Sequence, residues 1–120
     1  MASAEWQVAL LDEIDEPGAR EFRVGEGDWP FRGMVVRWGG AVYAYANSCA
    51  HLGHPLNFEP DRFFTPDQQY LLCGSHGAIF EPDTGLCIGG PCAGASLRSL
   101  DCRVAGNHIF VRAPDTLREL

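Results

Sequence analysis

The sequence predicts an all-β fold, an antiparallel scaffold interrupted by a loop-rich insertion. Three observations carry this. Short apolar stretches lie near both ends of the chain, several set in pairs around Gly-containing tight turns. Fourteen Gly and eight Pro among 120 residues are a high density of turn-formers, suited to short strands and tight loops. No segment repeats its apolar positions at a helical period between start and stop signals. At this length, with 46% hydrophobic residues, one domain spanning 1–120 is expected.

Glu5–Leu11 reads as a first strand. The acidic run Asp12–Glu16 with Pro17-Gly18 reads as a loop, and Glu21–Val24 as a short strand. Met34–Trp38 and Ala41–Ala46 flank Gly39-Gly40, a pair that signals a tight hairpin. Alternation along Ala41–Ala46 places Val42, Ala44 and Ala46 on one face, Tyr43 and Tyr45 on the other. Leu97–Val104 and His108–Arg112 flank Ala105-Gly106-Asn107, a second hairpin. Between the hairpins, residues 47–97 are rich in Gly, Pro, Cys and His, and only Tyr70–Cys73 and Ala78–Phe80 read as strands. The scaffold therefore covers about 5–46 and 98–113, and 114–120 form a short tail.

No apolar run approaches the roughly 20 residues that span a bilayer, and Met1–Trp6 lacks the basic-then-apolar order of a secretory signal. A soluble, cytoplasmic protein is expected. Five cysteines, an odd number, suit metal ligands plus thiols in a reducing compartment. The net charge of −7 is uneven. Residues 1–28 hold eight acids against Arg20 and Arg23, and residues 47–97 hold five against Arg62. Such a chain repels nucleic acid and anionic membranes. A basic protein partner and simple solubility are the two readings of that charge.

Two short motifs, Cys49-Ala50-His51 and Cys73-Gly74-Ser75-His76, each offer one thiolate and one imidazole. Two loops clamping one buried object from opposite sides is the simplest geometry, with Gly53, Gly74 and Gly77 where backbone must come close to it. Zinc accepts two Cys and two His, but its common structural sites pair Cys with Cys two to four residues apart. Mixed Cys/His loops favour a [2Fe–2S] cluster with two thiolates on one iron and two imidazoles on the other.

The segment resembles the Rieske family, whose signature is matched by Cys49-Ala50-His51-Leu52-Gly53 and Cys73-Gly74-Ser75-His76-Gly77. The resemblance extends through Phe80, Asp83-Thr84-Gly85 and Gly89-Gly90-Pro91 to about Leu97. It implies a Rieske-like antiparallel β sandwich or barrel with a cluster-binding subdomain over about 47–97, and one [2Fe–2S] cluster. Cys49 and Cys73 would bind the inner iron, and His51 and His76 the outer iron near solvent. Two thiolates and two neutral imidazoles leave the oxidised centre neutral, where four thiolates would leave it doubly negative, so the potential rises. Reduction would then tighten proton binding at the imidazoles, coupling potential to pH at alkaline values. The gap from His51 to Cys73 is longer than in many relatives, and Glu59–Gln69 reads as an exposed insertion.

In the high-potential members an extra Cys in each motif forms a disulfide. Those positions are His54 and Ser75 here, so that disulfide is not expected. Those members also place Ser and Tyr hydroxyls just after the second motif, where this chain has Ala78 and Phe80. The resemblance therefore implies a potential near the low end of the Rieske range, about −150 mV. Leu52 and Pro91 are candidates to shield the cluster from water.

Cys87 and Cys92 flank the Ile88–Pro91 loop. They are readable as buried thiols, as a Cys87–Cys92 disulfide, or as groups tuning or sensing the cluster. Cys102 and the three tryptophans read as core or scaffold, His54 as a surface residue and His108 as structural. Ser48 and Ser75 lie near histidines already assigned to iron, and no nucleotide or flavin fingerprint is present. The expected function is that of a ferredoxin, an electron-transfer protein and not an enzyme. It would carry single electrons from a reductase to a terminal oxygenase or other oxidoreductase, docking at its exposed histidine edge. The alternatives are a Rieske-like small subunit of a nitrite-reductase-type complex and a redox-sensing binding module.

Overall fold

The computed structural model describes residues 4–24, 31–47, 63–73, 77–90 and 94–113. Its elements are antiparallel strands β1 (Ala4–Leu10), β2 (Gly18–Val24), β3 (Phe31–Trp38), β4 (Ala41–Ala46), β5 (Leu71–Leu72), β6 (Ile79–Phe80), β7 (Cys87–Gly89), β8 (Ser99–Leu100), β9 (Cys102–Ala105) and β10 (His108–Ala113), with one 3-10 turn at Leu11–Glu13. They form three sheets, in the orders β1-β10-β9, β2-β3-β4-β8 and β5-β6-β7.

The Gly39-Gly40 hairpin forms as the sequence predicts. Trp38 pairs with Ala41, and both glycines have positive φ, +58° and +82°, the conformation a two-residue hairpin needs to match strand twist. The second hairpin is tighter than expected. Ala105 pairs with His108, so its loop is Gly106-Asn107 and Ala105 stays in β9. The tip is tied to the 3-10 turn, where the Leu11 N–H donates to the Asn107 carbonyl at 2.8 Å and the Asp12 N–H to Asn107 Oδ1 at 3.0 Å.

Three expectations need correction. The acidic loop contains the 3-10 turn, and Arg37 Nη1 donates to the Ile14 carbonyl at 2.9 Å, pinning the connection against β3. Leu97–Val104 is not one strand. It breaks at Asp101, after which the chain leaves β4 for β10, and the Asp101 carbonyl accepts the Arg112 N–H at 2.9 Å. β7 is a strand the Gly-rich composition concealed.

The central sheet lies between two cores. Val35, Ala44 and Ala46 face one with Phe22, Phe31, Ile109 and Val111. Met34, Val36 and Tyr45 face the other with Phe63, Leu71, Cys73, Phe80 and Cys87. The alternation read along β4 is thus realised, and both of its faces are buried. In β2–β3, Phe22 pairs with Gly33, and a Cβ at Gly33 would lie 2.4 Å from the Phe22 ring. The ring fills the space a side chain would take.

Candidate metal centre

Strand ends hold the bases of three loops. The first leaves β4, where the Ala46 N–H donates to the Arg98 carbonyl at 2.9 Å and the Asn47 N–H to the Arg32 carbonyl at 3.0 Å. Asn47 is buried, unusual for a polar side chain, and lies two residues before Cys49. The chain returns at Phe63, whose carbonyl accepts the Leu72 N–H at 2.8 Å. Phe64 bridges to Leu71 and stacks on Trp38 with ring centroids 6.0 Å apart.

The second loop joins β5 to β6. The Cys73 N–H donates to the Ala78 carbonyl and the Gly77 N–H to the Cys73 carbonyl, both at 2.9 Å. Cys73 and Ala78 are fully buried. The third loop follows β7 and closes where the Cys87 N–H donates to the Ala95 carbonyl and the Gly94 N–H to the Cys87 carbonyl. Cys87 is buried, with its thiol 3.1 Å from the Gly89 carbonyl.

The third loop rests on the second. Gly90 has φ +89°, and a Cβ there would lie 2.7 Å from Ala78 Cα and 3.2 Å from the Gly77 carbonyl oxygen. Only glycine combines that backbone conformation with that approach.

Tyr45 ties these loops to the scaffold. Its hydroxyl donates to the Pro82 carbonyl at 2.9 Å inside the core. Its ring covers Gly85, where φ is +74° and a Cβ would come within 2.8 Å of Tyr45 Cε1. Gly85 in turn accepts the Leu97 N–H at 2.9 Å. Burial, then the nearby Asp83 carboxylate, push the Tyr45 phenol well above its usual range, so it stays a donor. Burial likewise raises the Cys102 thiol, which lies 3.4 Å from the Val42 carbonyl.

Of the four predicted ligands, Cys73 lies among the described residues, while Cys49, His51 and His76 lie outside them. Leu52, His54, Ser48, Ser75, Pro91, Cys92, Trp29 and the 114–120 tail also lie outside. Among the described residues, no three candidate ligands come together. Phe63 corrects the sequence reading. It is 1% exposed and belongs to the core, so within 59–69 the exposed part seen here is Pro66–Gln69. The Phe63-Phe64 pair in a polar stretch was the available signal. Tyr45 was placed on a face but given no role, because its partner, Pro82, is remote in sequence.

A model of the Rieske [2Fe–2S] domain matches residues 5–106. No curated protein matches the chain. Among solved structures, the ferredoxin of carbazole 1,9a-dioxygenase from Nocardioides aromaticivorans IC177 is 30% identical, with a TM-score of 0.69, over 94% of this chain and 100% of that one. A chain from the complex of reduced oxygenase and oxidized ferredoxin in carbazole 1,9a-dioxygenase is 24% identical, with a TM-score of 0.69, over 94% of this chain and 96% of that one. The terminal oxygenase of carbazole 1,9a-dioxygenase from Novosphingobium sp. KA1 shares the fold, with 21% identity and a TM-score of 0.72, but this chain's 93% coverage corresponds to 30% of that protein. The chain belongs to the Rieske [2Fe–2S] domain family, and its cofactor is a Rieske cluster with two Cys and two His ligands.

Proposed function

We propose that the protein is a soluble, cytoplasmic one-electron carrier, taking electrons from a reductase and passing them to a terminal oxygenase or another oxidoreductase. The supporting observation is the match, over 94% of this chain and 100% of that one, with the ferredoxin of a dioxygenase. Among the described residues no helix is long and apolar enough to cross a membrane.

Cys49, His51, Cys73 and His76 are the residues that would hold the cluster. The described surroundings fit it. Cys73 is a fully buried thiol at the base of a closed hairpin loop, and soft thiolate with imidazole is the donor set of this centre. The Gly90–Ala78 contact brings two loops together with backbone alone. When bound, the cluster supplies a site for one electron.

The chain's own residues fix where that electron sits. Phe63, Phe80 and Leu71 pack around Cys73 in one apolar core, excluding water from the side facing the scaffold. Backbone hydrogen bonds at Asn47, Cys73 and Cys87 hold the loop bases, so little structure needs to move when the charge changes. Tyr45 holds the Pro82–Gly85 turn, and through β7 the third loop, at fixed depth over the second.

The test is the EPR spectrum of the dithionite-reduced protein beside the visible spectrum of the oxidised form. A rhombic signal with an average g value below that of all-cysteine clusters is the expected result. A colourless, EPR-silent protein containing zinc overturns the carrier reading.

A further inference from the structure

The outer face of the β5-β6-β7 sheet carries apolar side chains, with Glu81 opposite Leu86 among them. Leu71 and Phe80 pair across β5–β6 and are fully buried, and the next pair, Leu72 and Ile79, faces the opposite way and is half-buried. Cys87 pairs with Phe80 and is buried. The register shifts after Cys87, so that Gly89 lies opposite Ile79; Leu86 and Ile88, on either side of buried Cys87, are the residues that stand exposed. Ile79 lies along β7, its Cδ1 3.8 Å from the place a Cβ would occupy on Gly89.

Leu86 is 38% exposed, Ile88 45%, and Tyr70, at the end of β5, 38%. These are three of the four large apolar side chains that stand most exposed among the described residues; the fourth is Val104 on the scaffold, at 42%. Grouped exposed apolar side chains of this kind mark interaction sites, whereas single ones are ordinary. Strand addition is not available at β7, because its outer edge already pairs with 94–96 through the Cys87–Ala95 hydrogen bond and the Leu86–Ser96 bridge.

The segment that builds this sheet is one-sided in charge. No Lys or Arg occurs anywhere between residues 63 and 97, while Asp67, Glu81 and Asp83 do. Asp67 and Asp83 are exposed. The face also belongs to the sheet whose strands lead into Cys73 and Gly90, two residues at the bases of the loops assigned to the metal centre.

We infer that this face is a docking surface for the redox partner, a protein presenting an apolar centre ringed by Lys or Arg. The inference rests on the carrier reading. Side chains at the apolar centre hold the complex together, and the acidic rim speeds encounter and aligns it.

The test uses ferric mitochondrial cytochrome c, a basic protein with an exposed haem edge, as acceptor. The cluster-loaded protein is reduced and freed of reductant. One electron then leaves it and one ferric haem becomes ferrous, with no atom transferred. Ile88→Gln and Leu86→Gln are each expected to lower the second-order rate constant about five-fold, with the reduced EPR spectrum unchanged. Val104→Gln, equally exposed but on the scaffold, is expected to leave the rate unchanged. Asp67→Asn with Asp83→Asn is expected to slow the reaction at low salt and flatten its salt dependence. Unchanged rates in the Leu86 and Ile88 variants, or an equal loss in Val104→Gln, overturn the docking face but leave the carrier intact. A wild-type protein with a normal cluster that reduces no cytochrome c overturns the carrier reading and this one with it.

Discussion

The two sides of the central sheet are built by different means. On the scaffold side, strands of six to eight residues such as β3, β4 and β10 pair in long registers. Its core is mostly aliphatic and phenylalanine. On the loop side, β5, β6 and β7 have two or three residues each. Its core takes in Tyr45, Cys73 and Cys87 beside the aromatics. Two-residue strands contribute few ladder bonds, so this half relies on loop-base hydrogen bonds, on glycine contacts and on what the loops hold. The scaffold is therefore expected to carry stability of its own, and the loop half to depend on the scaffold and the cluster.

The largest expected effect separates the halves outright. Cys73→Ser replaces a soft thiolate with a hydroxyl that binds iron poorly at neutral pH. The visible absorbance of the oxidised cluster is expected to disappear. Hydrogen exchange read by mass spectrometry should show lost protection over 63–97 and retained protection in β2, β3 and β10. Uniform loss across both halves would show that the scaffold does not stand alone.

Glycine substitutions sharpen the contrast. Gly106 has φ +62° and open space where a Cβ would go, so Gly106→Ala is expected to cost about 1–2 kcal/mol from backbone strain alone. Gly90 has the same kind of φ, but its Cβ would also meet Ala78 Cα at 2.7 Å. Gly90→Ala should therefore cost about 2–4 kcal/mol, adding an overpacking term, and should also loosen the cluster. Denaturant midpoints of the two variants measure the stability difference, and visible absorbance follows cluster loss. Equal midpoints would mean that the third loop yields freely.

This contrast also sets how far the sequence could be read. Hairpins such as Gly39-Gly40 and the alternation of Ala41–Ala46 are local signals, and they predict the scaffold to within a few residues. The break at Asp101 was not legible, because the choice between pairing with β4 and pairing with β10 is made by strands far away in sequence. β7 was hidden because three residues are too few for a periodic signal. The Cys/His motifs pointed to the Rieske family, which the match over residues 5–106 shows, while three of their four proposed ligands lie outside the described residues. Phe63 and Tyr45 were missed because their partners, the core around Leu71 and the Pro82 carbonyl, are fixed only by the folded topology.

Tyr45 tests the join between the halves. Tyr45→Phe keeps the ring over Gly85 but leaves the buried Pro82 carbonyl without its donor, at an expected cost of about 1–3 kcal/mol. The pH dependence follows from the raised phenol. The unfolded chain gives up this proton near pH 10, before the folded protein does. The stabilisation is therefore fully present below about pH 10 and declines as the pH rises above it. The gap between wild type and Tyr45→Phe is expected to stay constant from neutral pH to about pH 10 and to shrink at higher pH. A gap that grows with alkalinity would contradict the donor role.

The smallest expected effect tests whether the loop-side core tunes the electron as well as holding the fold. Ala78 and Phe80 are fully buried beside Cys73 and carry no hydroxyl. Ala78→Ser with Phe80→Tyr adds two donors where the resemblance puts hydroxyls that favour the reduced state. One such bond worth about 1.4 kcal/mol raises the potential by about 59 mV for a one-electron couple. Phe22→Tyr adds a hydroxyl to the scaffold core instead and is expected to lower stability while leaving the potential where it was. Potentiometric titration of the three proteins decides it. An unmoved potential in the loop-side variant removes the hydroxyl explanation for a low-potential centre, and an equal shift in Phe22→Tyr would show that the potential follows overall stability and not the groups around Cys73.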